Sequence, residues 1–350
     1  MYKLKQKYED FIVKEKIKLL KVKKGNYGYY LLRKRNWSTL DAIEKIASKL
    51  GINSKFIGLA GNKDKWAITE QYISIYKVDK ARVENLEIKD IGLKFIGYGK
   101  DKINLGSLEG NEFDIIIRNL EEKKRLEIDK VENYFDEQRF GFKLNTHLVG
   151  KAIVKKNFKE ACEILGKKTE NNDYIGELRK DNRRVLRFYI HSYESWIWNK
   201  VASKYLEENY EVEKKIRIAG QELFFTKENL GKENKNLGEA FGKAFREIGK
   251  ENKNIEIPII GYLLEVKDKK IDEIYSKIME EEGVNKEDFI IRQMPEISSP
   301  GGKRKLFLKV KNFKYEYGED EVNKGKFKVR LRFSLGKGSY ATMVVKRLFD

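Results

Sequence analysis

The residues of this chain most suited to chemistry fall in one stretch, Gly58-Leu59-Ala60-Gly61-Asn62-Lys63-Asp64-Lys65-Trp66-Ala67-Ile68-Thr69-Glu70-Gln71. It opens on an apolar run ending at two small residues, where another backbone or a ligand can approach closely. Asp64 follows on a polar turn between two lysines. Such a carboxylate has two readings. It makes an Asx-type hydrogen bond within a surface turn, or a nearby cation holds it ionised for use as a nucleophile or base. Lys-Asp-Lys taken alone favours the turn; the longer string does not.

Other reactive groups are sparse. Cys162 is the only cysteine, which excludes intramolecular disulfides and cysteine-cluster metal sites. His147 and His191 lie far apart in sequence and make a poor metal site. Gly25-Asn26-Tyr27-Gly28 is too isolated to serve as the nucleotide loop of a methyltransferase. Lys303-Arg304-Lys305, beside two glycines, is a candidate for phosphate contact.

The formal net charge is +19, from 74 Lys+Arg against 55 Asp+Glu. Lysine richness follows in part from composition, but an excess of this size favours a polyanionic partner, RNA or DNA. No run approaches the roughly 18 apolar residues of a membrane span, and the start lacks the apolar core of a signal peptide. A soluble cytoplasmic protein is expected, acting as a monomer without a protein partner.

The elements that position Asp64 read as α/β. Residues 11–22 and 28–34 are strand-like runs separated by the Gly25–Gly28 turn, which suggests a hairpin. Ser38 and Asp41 resemble a capping box before Ala42, Ile43, Ile46, Ala47 and Leu50, and Gly51 sits where that helix should stop. Strands are predicted at 71–76 and 113–118, and a charged helix at about 121–135. Helical periodicity then dominates, at 152–165, 185–206, 237–248 and 271–281. Strand character returns at 304–317 and 326–335. This order predicts a mixed sheet built from both ends of the chain, residues 1–145 and 310–350, around a mostly helical insertion, 146–309.

The Asp64 string closely resembles the signature of the TruD family of pseudouridine synthases, Ala-Gly-x-Lys-Asp followed by Ala-x-Thr-x-Gln, at Ala60, Gly61, Lys63, Asp64, Ala67, Thr69 and Gln71. Further blocks follow in the family's order: Glu9–Glu15 with Lys5 upstream, Gly110-Asn111-Glu112-Phe113, Asn133–Gly141 and Gly338–Met343. Some positions depart from the pattern. Asp136 replaces a glycine, Glu194 stands where glutamine is usual, Lys303-Arg304 occupies an Arg-Arg position, and Lys346-Arg347 replaces Arg-Glu. These bear on RNA docking and leave the Asp64 block intact.

The resemblance implies a tRNA pseudouridine synthase, an isomerase needing no cofactor or metal, with an inserted family-specific domain. It implies a target uridine in the D-arm of tRNA, at position thirteen, while some relatives act on other RNAs. Asp64 would be the catalytic carboxylate, as nucleophile or as a base removing a sugar proton. Lys5 is the implied cation beside it, with Phe113 and Asn111 as base-binding or supporting residues. The Phe113 ring could equally be core, since Phe113, Ile115 and Ile117 share a strand face. Lys63, Arg139, Lys303 and Arg304 are candidates for RNA contact. An RNA-binding or assembly factor that kept the fold and lost the activity is the competing reading, and an intact Asp64 block argues against it.

Overall fold

Alternating apolar residues near both ends of the chain build strands that bury one face. The computed structural model describes residues 1–227 and 255–350 and divides into two compact units. The first comprises Met1–Asp129, Lys309–Ala341 and Phe349; the second comprises Lys130–Leu308, Thr342–Leu348 and Asp350. The first break therefore falls at 129 rather than 145, and Asn133–Gly141 belongs to the second unit.

The first unit contains, in chain order, β1 (Lys3–Leu4), β2 (Phe11–Ile17), β3 (Tyr27–Arg35), α1 (Thr39–Leu50), β4 (Ile57–Leu59), β5 (Ile68–Tyr76), α2 (Lys80–Glu84), β6 (Ile91–Gly99) and β7 (Leu108–Leu120). The strands Lys311–Glu319 and Phe327–Gly336 join them in a nine-stranded sheet. Its order runs Lys311–Glu319, Phe327–Gly336, β7, β2, β5, β3, β6, with β1 on β7 and β4 on β5. β2 and β5 are parallel and the other pairs antiparallel, so the sheet is mixed.

Register decides which side chains share a face. Val13 lies opposite Phe113 and Glu15 opposite Asn111 across β2 and β7, while Val13 also pairs with Thr69 and Thr69 with Lys34. Asn111, Phe113, Val13, Glu15, Thr69, Gln71, Leu32 and Lys34 thus project to one side. Helix α1 covers part of that side, with Ile43, Ile46, Ala47 and Leu50 packed against Tyr30, Leu32, Ile73 and Ile75. The other side carries ion pairs such as Lys16–Glu112 at 2.7 Å and Arg330–Asp114 at 2.6 Å.

Helix α1 begins and ends where its sequence signals stand. Ser38 Oγ accepts the Asp41 N–H, and Gly51 takes φ +66°, a left-handed conformation that glycine adopts without a Cβ clash. Gly110 has a different necessity: a Cβ there would sit 2.4 Å from the Leu335 carbonyl oxygen, so the close pairing of β7 with Phe327–Gly336 requires it.

Several local expectations fail for non-local reasons. β2 and β3 are not a hairpin, because β5 lies between them. Gly25 instead allows close backbone packing, since a Cβ there would meet the Gly99 carbonyl oxygen at 2.2 Å. No helix spans 121–135. Leu126 and Ile128 are buried at a spacing of two, and Lys130–Glu132 is a short strand. The predicted helix 152–165 is two helices, Thr146–Val154 and Phe158–Leu165, broken where Lys156 takes φ +60° and Asn157 Oδ1 accepts the Glu160 N–H. The predicted helix 237–248 lies outside the described residues.

The second unit is organised around the 27-residue helix Arg183–Asn209, whose Tyr193, Ile197 and Trp198 are fully buried. Around it stand Thr146–Val154, Lys269–Glu282 and two antiparallel strand pairs, Val212–Ile218 with Gln221–Thr226 and Glu256–Ile259 with Gly302–Lys305. The insertion is therefore less purely helical than its periodicity suggests. Two departures from the family pattern meet here: Lys346 Nζ donates to Asp136 Oδ1 at 2.7 Å. No helix among the described residues is long and apolar enough to cross a membrane.

Glu194 is 4 % exposed, and burial pushes its carboxyl up to about 8. Below its ordinary value of 4.5 the carboxyl is protonated in both folded and unfolded chains. As pH rises from there, the unfolded chain releases the proton while the folded chain keeps it, so stability falls until pH passes the folded value. Glu194→Gln removes this titration. The variant should match the parent near pH 4.5 and exceed it at pH 8 by up to about 4 kcal/mol. Thermal unfolding across that range measures the gap; a constant difference contradicts the account.

Candidate active site

Residues 60–67 join β4 to β5 and carry Asp64. Three buried groups hold this loop against the sheet and α1. The Lys63 N–H donates to Thr39 Oγ1 at 2.8 Å, and the Thr39 hydroxyl donates to Gln71 Oε1 at 3.0 Å. Gln71 Nε2 in turn donates to the Gly61 carbonyl at 3.3 Å. The third is Lys34, fully buried, whose ammonium donates to the carbonyls of Trp37 at 2.7 Å, Asp64 at 2.9 Å and Lys63 at 3.4 Å. Burial pushes its pKa down to about 8, opposed by Asp64, so it remains largely charged at neutral pH. Gly61 itself is not crowded: within 4 Å, a Cβ there would meet only the Leu108 side chain, at 4.0 Å.

Lys5 reaches this loop from the amino-terminal segment. Its ammonium lies 2.8 Å from Asp64 Oδ2, and their side chains are 23 % and 33 % exposed, so the pair is reachable from solvent. The same ammonium sits 4.0 Å from the centroid of the Phe11 ring. Lys5 takes φ +57°, a conformation unfavourable for a residue with a Cβ, and its surroundings enforce it. On one side β1 pairs with β7; on the other, Asp10 accepts the Lys7 N–H at 2.9 Å and is gripped by the buried Arg118. Trp66 Nε1 donates to the Lys5 carbonyl at 3.0 Å, closing the segment onto the Asp64 loop.

Asn111 and Phe113 stand on the same sheet face. Asn111 Oδ1 is buried without a hydrogen-bond partner. Phe113 is 7 % exposed, edge-on to Phe11 at 6.5 Å and stacked on Phe333 at 5.4 Å, a largely core placement. Two basic candidates require correction. Lys63 pairs with Glu15 at 2.7 Å with both side chains almost wholly buried, so it braces the loop against β2 rather than facing phosphate. Arg304 donates to the Asn133 carbonyl at 2.7 Å and lies 3.9 Å from the Phe135 ring centroid, inside the second unit. Arg139 Nε donates to Ser195 Oγ at 2.9 Å in that unit, while Lys303 is exposed. Lys34 and Thr39 were missed by sequence reasoning. The signal for Lys34 was its inward parity with Tyr30 and Leu32.

The family model described as tRNA pseudouridine synthase D (TruD) matches residues 2–173 and 164–348. The chain belongs to the TruD family. A relative from Methanosarcina acetivorans, "Probable tRNA pseudouridine synthase D", is 33% identical over 98% of this chain and 91% of its own length. The TruD relative of Aquifex aeolicus, "tRNA pseudouridine synthase D", is 28% identical over 99% of this chain and 98% of its own. A crystal structure of a putative TruD from Methanosarcina mazei superposes with TM-score 0.70 at 31% identity, covering 99% of this chain and 92% of that one. The α+β fold with its mixed sheet is thus the TruD fold, and the protein is an isomerase, a pseudouridine synthase.

Lys34 should matter to turnover without touching substrate. Lys34→Met preserves much of its length and leaves the Trp37, Lys63 and Asp64 carbonyls without their donor. Stability should fall by about 1–3 kcal/mol. If the loop it braces carries a reacting group, the turnover number of the folded protein should drop about ten-fold at little change in RNA affinity, because a small displacement of such a group is costly. Turnover equal to the parent's after correction for folded fraction removes Lys34 from the site.

Proposed function

We propose that this enzyme converts one uridine of tRNA to pseudouridine, with Asp64 as the catalytic carboxylate. The observation that carries the reading is the Lys5–Asp64 pair at 2.8 Å, on a braced loop of the unit whose sheet also holds a buried, unpartnered Asn111 amide oxygen. The isomerisation breaks the bond between C1′ and N1 of the uridine, turns the base, and forms a bond between C1′ and C5. C5 then loses its proton and N1 gains one. As nucleophile at C1′ or as base at C2′, the carboxylate must be anionic when the bond breaks. The Lys5 ammonium stands 2.8 Å from that carboxylate and donates a charge-assisted hydrogen bond to it. The uridine must leave its stack to reach Asp64, and Asn111 and the Phe113 edge are the groups assigned to receive its base.

The substrate assignment draws on the net charge of +19 and on the tRNA activity in the relatives' names. The target expected from the family is the uridine at position thirteen in the D-arm. Lys5, Asp64, Asn111 and Phe113 all come from the first unit of one chain, which supports action as a monomer, and a tRNA substrate supports a cytoplasmic location. The test is tritium release from tRNA transcripts labelled at uridine C5, with the product mapped by carbodiimide modification. Release with the product at the D-arm uridine supports the proposal; no release from any tRNA refutes it, and product elsewhere corrects the target.

A further inference from the structure

Two residues from Asp64 an exposed tryptophan packs on the half-buried Tyr8, with no role in the chemistry described above. Trp66, two residues beyond Asp64, is 49% exposed, and its ring lies 4.3 Å from that of Tyr8 at an interplanar angle of 46°. A large aromatic left half in water on a catalytic loop forfeits burial that the fold could have supplied. Its position is nonetheless well determined. The indole N–H donates to the Lys5 carbonyl at 3.0 Å, and the Arg35 guanidinium lies 5.0 Å from the Tyr8 ring centroid. Arg35 also pairs with Glu9 at 3.1 Å, while Lys65 and Lys7 are exposed nearby in sequence. A held aromatic face among cations, next to a site for an extruded nucleotide, has the composition of a base-stacking surface.

We propose that the Tyr8–Trp66 pair is a stacking platform for the base of a nucleotide adjoining the target uridine. This rests on the proposed action on tRNA and adds to it a binding subsite. Extruding one uridine unstacks its neighbours, and a neighbour that finds an aromatic face at once recovers part of the lost stacking. Because stacking tolerates any base, the platform would hold the strand in place without reading its sequence. Trp66 thereby couples strand position to the catalytic pair through the Lys5 carbonyl.

The experiment places 2-aminopurine at each position flanking the target uridine in a tRNA transcript and follows its emission on binding. Stacking on the platform should quench the probe at one flanking position with the unaltered enzyme and with Trp66→Phe, and much less with Trp66→Ala. A parallel set of kcat/KM values uses transcripts abasic at the same position. Trp66→Ala and the abasic change should each cost about ten-fold, and together little more than either alone. Thermal unfolding checks that both variants remain folded, and Trp66→Phe separates the stack from the hydrogen bond to Lys5. Equal quenching by the unaltered enzyme and Trp66→Ala at every flanking position overturns the platform, as do independent, multiplying losses. The emission readout needs binding but no turnover, so an enzyme that binds tRNA without isomerising it would sink the uridine assignment and still decide the platform.

Discussion

Asp64→Asn should abolish tritium release while leaving fold and tRNA affinity in place. Asparagine has nearly the shape of aspartate and keeps an acceptor oxygen for Lys5. It has no anionic oxygen to attack C1′ and is too weak a base to take a sugar proton. Loss of a catalytic carboxylate typically costs about 10²–10⁴-fold, and the upper part of that range is expected where no other group can substitute. Asp101→Asn is the suitable comparison, because Asp101 is exposed and its backbone carbonyl is what the Tyr29 hydroxyl uses, at 2.9 Å. Turnover by Asp64→Asn within a few-fold of the parent would refute the role assigned to this residue. Asp10→Asn is a poor comparison, since that carboxylate belongs to a buried ion cluster and its change would report on folding.

Arg118→Met should be the most destabilising single change in the first unit. The guanidinium is 2 % exposed and donates to Asp10 at 2.8 Å, Asp320 at 2.9 Å and Glu321 at 3.0 Å. Burial works to raise the Asp320 carboxyl, but N–H donors from Asn119, Asn323 and Val322 and the Arg118 guanidinium together hold it well below the usual carboxylate range. Its contribution to stability is therefore complete above the ordinary value of 3.8 and is lost as pH falls below it. Without Arg118, the Asp10 and Asp320 carboxylates stay buried and lose their shared cation. The expected cost is about 3–5 kcal/mol, measured by urea unfolding at neutral pH. It should shrink as pH falls and Asp320 protonates. A cost under about 1 kcal/mol at neutral pH would mean that water reaches the cluster. Because Asp10 also anchors the turn after Lys5, residual folded Arg118→Met should turn over more slowly than the parent.

Both predictions rest on different kinds of information. The Asp64 block, the Lys5 segment and the limits of α1 were legible in the chain because they are local. A capping serine, a glycine that accepts positive φ and an apolar period each act within a few residues of where they are read. Asp64 could be singled out because its neighbours form a contiguous string, and the approach of Lys5 was implied by resemblance rather than by spacing. Strand neighbours are not local. Whether β3 pairs with β2 or with β5 depends on residues far along the chain, such as Tyr76 opposite Tyr27, and Gly25 of the expected hairpin turn serves a close approach to Gly99 instead. The same limit governs charge. Lys63 and Arg304 are not distinguished in sequence from the surface lysines and arginines around them, but each is bound by a carboxylate or a backbone carbonyl brought from elsewhere. A cation's fate is set by the partner that offsets its desolvation, and only the tertiary structure supplies that partner.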